Sequence, residues 1–285
     1  MMSPVLLAEA GNNGLFTLLQ GVILGLVQGI TEFLPISSTA HLLIFTDIFG
    51  WQRQWDKTAV DAIQFGSVIA VLIYFWADLK KIVRGAVAAY ARKEWDREEW
   101  KIFVGILVGT VPALAVGFVL KQLNALPESA IVIATMSIVM SILLGLAEKF
   151  GIRKRGFESL TIKDGFLVGL GQMIALLPGA SRSGSTLTAG LFLGFKRETA
   201  ARYSFLLGLP TLAIATLVQA KDVFDKPDMA LPLLVGIVST FIFSYLSIAW
   251  LLKFLQRNSN WVFVWYRLAL GVTLLVAIAT NVLKD

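Results

Sequence analysis

The stretch PGASRSGST, Pro178–Thr186, lies between two apolar runs, GFLVGLGQMIALL before it and LTAGLFLGF after it. An arginine, four hydroxyl side chains and two glycines thus interrupt a hydrophobic region. A second break of the same kind, LPISSTAH at Leu34–His41, interrupts another. In both, a proline is followed by small polar residues, and the apolar piece on either side is short for a membrane span. Non-helical backbone at membrane depth is tolerated only where protein or a water-filled cavity solvates it. The regions 15–50 and 165–195 therefore read as re-entrant helix–loop–helix hairpins, each returning to the side it entered from.

The remaining chain supplies the membrane. Of 285 residues, 56% are hydrophobic and only 15% charged, against about 25% charged in a soluble domain. Six further apolar runs, about 59–76, 102–120, 129–147, 203–219, 231–252 and 262–281, are long enough to cross a bilayer. No polar stretch is long enough to form a separate domain, so residues 1–285 read as a single polytopic membrane domain, all-α in class. The net charge of +6 sits mainly in short loops, which argues for membrane topology rather than nucleic acid. With no Cys and one His, disulfide frameworks, thiolate metal sites and poly-His cages are excluded. The N-terminus lacks a basic segment, so no cleaved signal peptide is expected.

Charge bias orients the spans. With six spans and two hairpins, the segments 77–101, 148–164, 196–202 and 253–260 share one side and carry 17 Lys and Arg; the segments opposite carry 6. The first set is expected to be cytoplasmic. VRGAVAAYARKEWDREEWK falls there and reads as an amphipathic surface segment. Arg267, among the aromatics of WVFVWYRLALG, reads as an interfacial arginine snorkelling to the headgroups.

An internal repeat underlies the two hairpins. GVILGLVQGI from Gly21 and GFLVGLGQMI from Gly165 are identical at five of ten positions, including Gly21/Gly165, Gly25/Gly169 and Gln28/Gln172. One residue drops out, and the match resumes with Leu34/Leu177, Pro35/Pro178 and Ser38/Ser181. The pseudo-repeats span about 15–147 and 160–281. By charge count the hairpins enter from opposite faces, giving an inverted-topology repeat whose tips meet.

The tips carry the chemistry. Glu32 and Arg182 lie inside membrane regions, where an isolated charge costs roughly 2.5–3.5 kcal/mol and normally finds a partner or a wet cavity. A structural ion pair is the plain alternative to a catalytic one. Gln28 shares a helix face with Glu32. Ser37, Ser38 and Thr39 open the next helix, and His41 follows one turn on. A helix N-terminus approached by Ser- and Gly-rich backbone suits an anion. In the second tip Gly179, Ser181, Ser183 and Thr186 repeat the device, and Arg182 adds a fork that matches phosphate oxygens. Two anion nests, one Arg, one carboxylate, one imidazole and several hydroxyls suit a pyrophosphate. The expected catalytic set is Glu32, Ser38, His41 and Arg182, with Ser38 as nucleophile, Ser37 as its rival, and His41 as base; Glu32 orients His41, acts as the base itself or holds a metal, in that order. The expected binding set is Gln28, Ser37, Thr39, Gly179, Ser181, Ser183 and Thr186. Glu32 together with a diphosphate offers a place for a bridging Mg²⁺ or Ca²⁺; no tightly bound cofactor is expected. A transporter or flippase of a polyprenyl phosphate or another anion is the alternative, since broken helices in inverted repeats are common there.

QGITEFLPISSTAH (Gln28–His41) and PGASRSGST resemble the two signature regions of the bacterial undecaprenyl-diphosphate phosphatase family, the membrane enzymes linked to bacitracin resistance. Gln28 and Glu32 fit its first pattern, Glu or Gln, three residues, Glu; Pro178, Gly179, Ser181, Arg182, Ser183 and Thr186 fit its second. Gln28 stands where some members carry Glu, so a second acid is lacking at that position. The resemblance implies hydrolysis of undecaprenyl diphosphate to undecaprenyl phosphate and inorganic phosphate, in the bacterial inner membrane. It also implies an inverted-repeat fold and a cleft opening toward the periplasm. Membrane lipids and the lipid substrate are the expected partners. Nucleic acid is not expected, and a homodimer is left open.

Overall fold

The computed structural model describes residues 4–123, 125, 129–219 and 229–283, with side chains from Gly14 onward and Gln219's excepted. Most of the segments expected opposite the cytoplasm at 121–128 and 220–230 lies outside the described residues. The fold is all-helical, in the order α1 (Pro4–Phe33), α2 (Ser38–Ile48), α3 (Lys57–Tyr74), α4 (Trp76–Arg92), α5 (Glu98–Gln122), α6 (Ala130–Phe150), α7 (Ile162–Ile174), α8 (Arg182–Phe192), α9 (Arg197–Gln219), α10 (Ala230–Leu255) and α11 (Trp261–Ala279). The six expected spans appear as α3, α5, α6, α9, α10 and α11.

Seven helices among the described residues are long and apolar enough to cross a membrane, one more than expected. The addition is the Gly14–Phe33 part of α1. Residues 14–33 contain no Pro, so the helix runs unbroken to Phe33, and the piece expected to be too short for a span is long enough to be one. By contrast α2, α7 and α8, of 11, 13 and 11 residues, reach only roughly 16–20 Å at 1.5 Å per residue. None can cross about 30 Å of hydrocarbon alone. Large apolar side chains on the long helices, such as Leu107, Phe118, Ile142, Leu234 and Trp265, are exposed, as lipid-facing positions must be.

The repeated glycines let helices approach backbone to backbone. A Cβ on Gly25 would lie 2.5 Å from the Gly236 carbonyl, and Gly21 and Gly29 meet α10 in the same way. Gly165 and Gly169 press on Gly105 and Gly109 of α5. The packing is therefore reciprocal: α1 lies on α10, and α7, whose glycines repeat those of α1, lies on α5. Small residues at i and i+4 are the usual means of close helix packing in lipid, where no hydrophobic force drives association.

The start of α7 is clasped. Thr161 caps α7 in a reciprocal box with Asp164. Arg155 donates to both Asp164 carboxylate oxygens, at 2.9 and 2.6 Å, and lies over the Phe195 ring. Burial pushes the Asp164 carboxyl up, but the hydrogen bonds from Arg155 and Thr161 outweigh it and hold it below the ordinary carboxylate range. Nearby, buried Glu148 accepts from Arg197 and Asn260 and so ties the ends of α6, α9 and α11 together.

Candidate active site

Both tips end in the same local structure. Ser37 caps α2 at φ 73° and Ser181 caps α8 at φ 68°. Left-handed backbone at a non-glycine residue is uncommon and clusters at functional sites. Each serine oxygen accepts from the amide three residues on, Ala40 at 3.4 Å and Gly184 at 3.1 Å. The remaining first-turn amides of α2 and α8 have no helical acceptor by construction. This corrects the sequence register. Ser37, not Ser38, is the structural counterpart of Ser181, so Ser38 corresponds to Arg182. The reason is loop length: α7 ends at Ile174 while α1 runs on to Phe33, so the second tip takes more residues to reach its cap.

Glu32 joins the two tips. One carboxylate oxygen accepts from Arg182 Nη2 at 2.9 Å; the other accepts from Ser38 Oγ at 2.9 Å and Gln28 Nε2 at 3.0 Å. Its backbone carbonyl accepts from Ser183 Oγ at 3.1 Å. Arg182 reaches Glu32 past Gly208 of α9, where any Cβ would overlap its Nη1. Between the tips lies a cavity of about 180 Å³ whose wall includes Glu32, Ser38, Thr39, Gly179, Ser181 and Arg182. Ser37 also lines it. Gly179, at φ +87°, sits so close to the Ile133 backbone that no side chain would fit.

Four expected site residues lie off the cavity wall: Gln28, fully buried, is spent on Glu32, and His41, Ser183 and Thr186 take other positions. His41 does not reach Ser38. Its Nδ1 lies 2.7 Å from the Ser37 carbonyl and its Nε2 2.6 Å from the Tyr266 hydroxyl. A carbonyl only accepts, so Nδ1 carries the proton, and the lone pair of the neutral ring is taken by the Tyr266 O–H. The hydroxyl of Ser38 goes to Glu32 instead. Helical spacing puts residues 38 and 41 near one face, but side-chain direction turns His41 toward α11. Ser183 and Thr186 are buried away from the cavity: Ser183 bonds the Glu32 and Leu34 carbonyls, and Thr186 bonds Ser204 and the Arg182 carbonyl.

Arg267, expected at the headgroups, is wholly buried and donates to backbone carbonyls of both tips. Its aromatic neighbours mislead: Trp265 and Tyr266 are exposed on the lipid side, while Arg267 faces inward. Sequence reasoning also missed Gln64 of α3 and Thr211 of α9, both in the cavity wall. Thr211 accepts from Gln172 Nε2 at 3.0 Å. The available signal was a lone amide within the apolar run of α3, and a hydroxyl directly after Pro210 in a span.

For a metal, no cluster of three His, Cys, Asp or Glu exists among the described residues. Glu32 is the one acid in the cavity wall. The residues present therefore fit only a cation that takes its other ligands from a bound substrate.

Residues 21–273 match the family of the bacitracin resistance protein BacA. The chain belongs to that family. Among curated relatives, the undecaprenyl-diphosphatase of Thermosynechococcus vestitus is 63% identical over 94% of this chain and 98% of its own length. That of Trichormus variabilis is 50% identical over 94% and 86%, and that of Synechocystis sp. 48% over 96% and 88%. The chain is thus a multi-pass membrane protein of the BacA family.

Proposed function

We infer that this chain is an undecaprenyl-diphosphatase, releasing inorganic phosphate and undecaprenyl phosphate. The observation that carries the reading is the Ser38–Glu32–Arg182 contact set at the meeting of two capped helix starts. A hydroxyl already donating to a carboxylate is the arrangement a phosphoryl acceptor needs, and an adjacent guanidinium supplies charge for the phosphate. A transporter would need the cavity but not this donor–base pair.

In the mechanism that follows, the terminal phosphate enters the cavity beside the α2 and α8 amides and draws Arg182 onto its oxygens. Ser38 Oγ attacks the terminal phosphorus while Glu32 takes its proton. The bond from phosphorus to the bridging oxygen breaks, and undecaprenyl phosphate leaves. Water then attacks the phosphoserine, Glu32 returns its proton to Ser38 Oγ as the Oγ–phosphorus bond breaks, and both protons of the water leave with inorganic phosphate. Gln28 holds Glu32 from the preceding turn. His41 acts indirectly, fixing the Ser37 carbonyl and hence the strained cap before Ser38. A divalent cation, when bound, would be held by Glu32 and the diphosphate's own oxygens and would neutralise phosphate charge. An apolar groove of about 340 Å³ bordered by Leu26, Ile30, Leu34 and Phe45 lies beside the first tip and suits the first isoprene units of the lipid.

We also read the chain as an inverted repeat. The reciprocal packing of α1 on α10 and α7 on α5, and the paired caps Ser37 and Ser181, support two pseudo-repeats with hairpins entering from opposite faces. The cleft is read as opening to the periplasmic side.

The test is phosphate release by purified protein from undecaprenyl diphosphate, with and without chelator, followed by acid-quench trapping with ³²P-labelled substrate. Label on a Ser38 peptide is expected, with Ser38→Ala inactive yet still binding lipid. Full activity in Ser38→Ala would replace the covalent route by water activated at Glu32.

A further inference from the structure

Arg267 lies on α11, remote in sequence from both tips, and is 0% exposed. Its Nη1 donates to the Pro35 carbonyl at 3.2 Å, and its Nη2 to the Gly179 and Ala180 carbonyls at 2.8 and 3.0 Å. No carboxylate pairs with it among the described residues, and its Nε has no partner. A buried guanidinium without a counter-ion is costly, and its neighbours must compensate. Here the compensation is backbone carbonyls that the breaks in two helices leave without amide partners. The positions of those carbonyls matter. Pro35 lies three residues before Ser38, and Ala180 two before Arg182. One side chain thus grips the chain just upstream of both residues that meet at Glu32. The first turn of α8 leaves room for it: a Cβ on Gly184 would come within 2.7 Å of Arg267 Nη1.

We propose that Arg267 is a positioning residue that holds the two hairpin tips in one fixed relation and so sets the separation of Ser38 from Arg182. It touches neither Ser38 nor Arg182, and it acts through the backbone of both tips. The adjacent Tyr266 reinforces the first tip through His41. Lysine keeps the charge but presents a single point, and cannot bridge carbonyls of two segments as a planar fork does. Glutamine loses both charge and reach. Because phosphoryl transfer depends on alignment, loosening the tips lowers kcat far more than it weakens binding. The inference rests on the phosphatase reading of the tips.

The experiment compares wild type, Arg267→Lys and Arg267→Gln in nanodiscs, using undecaprenyl diphosphate for kcat and KM. In parallel, spin labels on Ile48→Cys and Phe192→Cys, exposed at the far ends of α2 and α8, report the distance distribution between hairpins in this Cys-free chain. Arg267→Gln is expected to lower kcat by roughly a hundredfold with KM within a few-fold, and to broaden the distribution; Arg267→Lys falls between on both readouts. Near-normal kcat in Arg267→Gln overturns the proposal. So does a lost kcat with a distribution as narrow as wild type. If Arg267→Gln does not fold, Arg267→Lys decides by the same two readouts. If wild type itself releases no phosphate, the phosphatase reading fails, while the spin-label distributions still decide whether Arg267 couples the tips.

Discussion

Glu32 receives three side-chain hydrogen bonds, from Arg182, Ser38 and Gln28, and His41 receives none of that traffic. The two residues should therefore respond differently to substitution. Glu32→Gln removes the proton acceptor at Ser38 and is expected to lower kcat by roughly a hundredfold or more. His41→Ala loosens the cap at Ser37 and should cost less, leaving measurable phosphate release. Equal losses in the two variants would restore His41 as the base. Gly208 gives a second test at this scale. A methyl group there would overlap Arg182 Nη1. Gly208→Ala should thus push the Arg182 guanidinium off Glu32 and lower kcat by roughly a hundredfold, although Gly208 bears no chemical group. Wild-type turnover in Gly208→Ala would show that Arg182 need not sit where the structure puts it.

Helix contacts are set by backbone approach at glycines, so bulk at those positions separates elements. Gly25→Val would drive a side chain into the Gly236 carbonyl and Ser239 of α10. Overpacking of this kind typically costs about 1–3 kcal/mol, and a lowered thermal midpoint in detergent should report it. The clasp of α7 is electrostatic instead. The Asp164 carboxyl is depressed in the folded protein. Its contribution is therefore complete above the unfolded value of about 4 and is lost as pH falls through the lower folded value. Asp164→Asn should destabilise the protein at neutral pH, and the difference from wild type should shrink in strong acid. A difference independent of pH would mean that the clasp is not ionic.

Across the whole molecule, the decisive question is the direction in which each hairpin enters. The charge bias places Gln54 and Lys154 on opposite faces, and both residues are exposed. Single cysteines at these two positions should react with an impermeant thiol reagent from opposite sides of sealed vesicles. Labelling from the same side would end the inverted-repeat reading and leave only the reciprocal helix packing.

Hydrophobic run lengths, the two Pro-led breaks and the repeated glycines specify the all-helical class, six of the seven span-length helices among the described residues and the two tips, because each is a local or periodic property of the chain. That Glu32, Ser38 and Arg182 would be drawn together was legible for the same reason: few polar residues interrupt these apolar regions, and each must find a partner there. Other features lie beyond local pattern. The Ser37–Ser181 equivalence depends on how many residues each tip needs to reach its cap. The turning of His41 toward Tyr266, the gap that Gly208 leaves for Arg182 and the grip of Arg267 on both tips involve elements up to 232 residues apart. Contacts at that separation are decided by how helices pack, since packing determines which face of α9 and α11 meets the tips and which meets lipid.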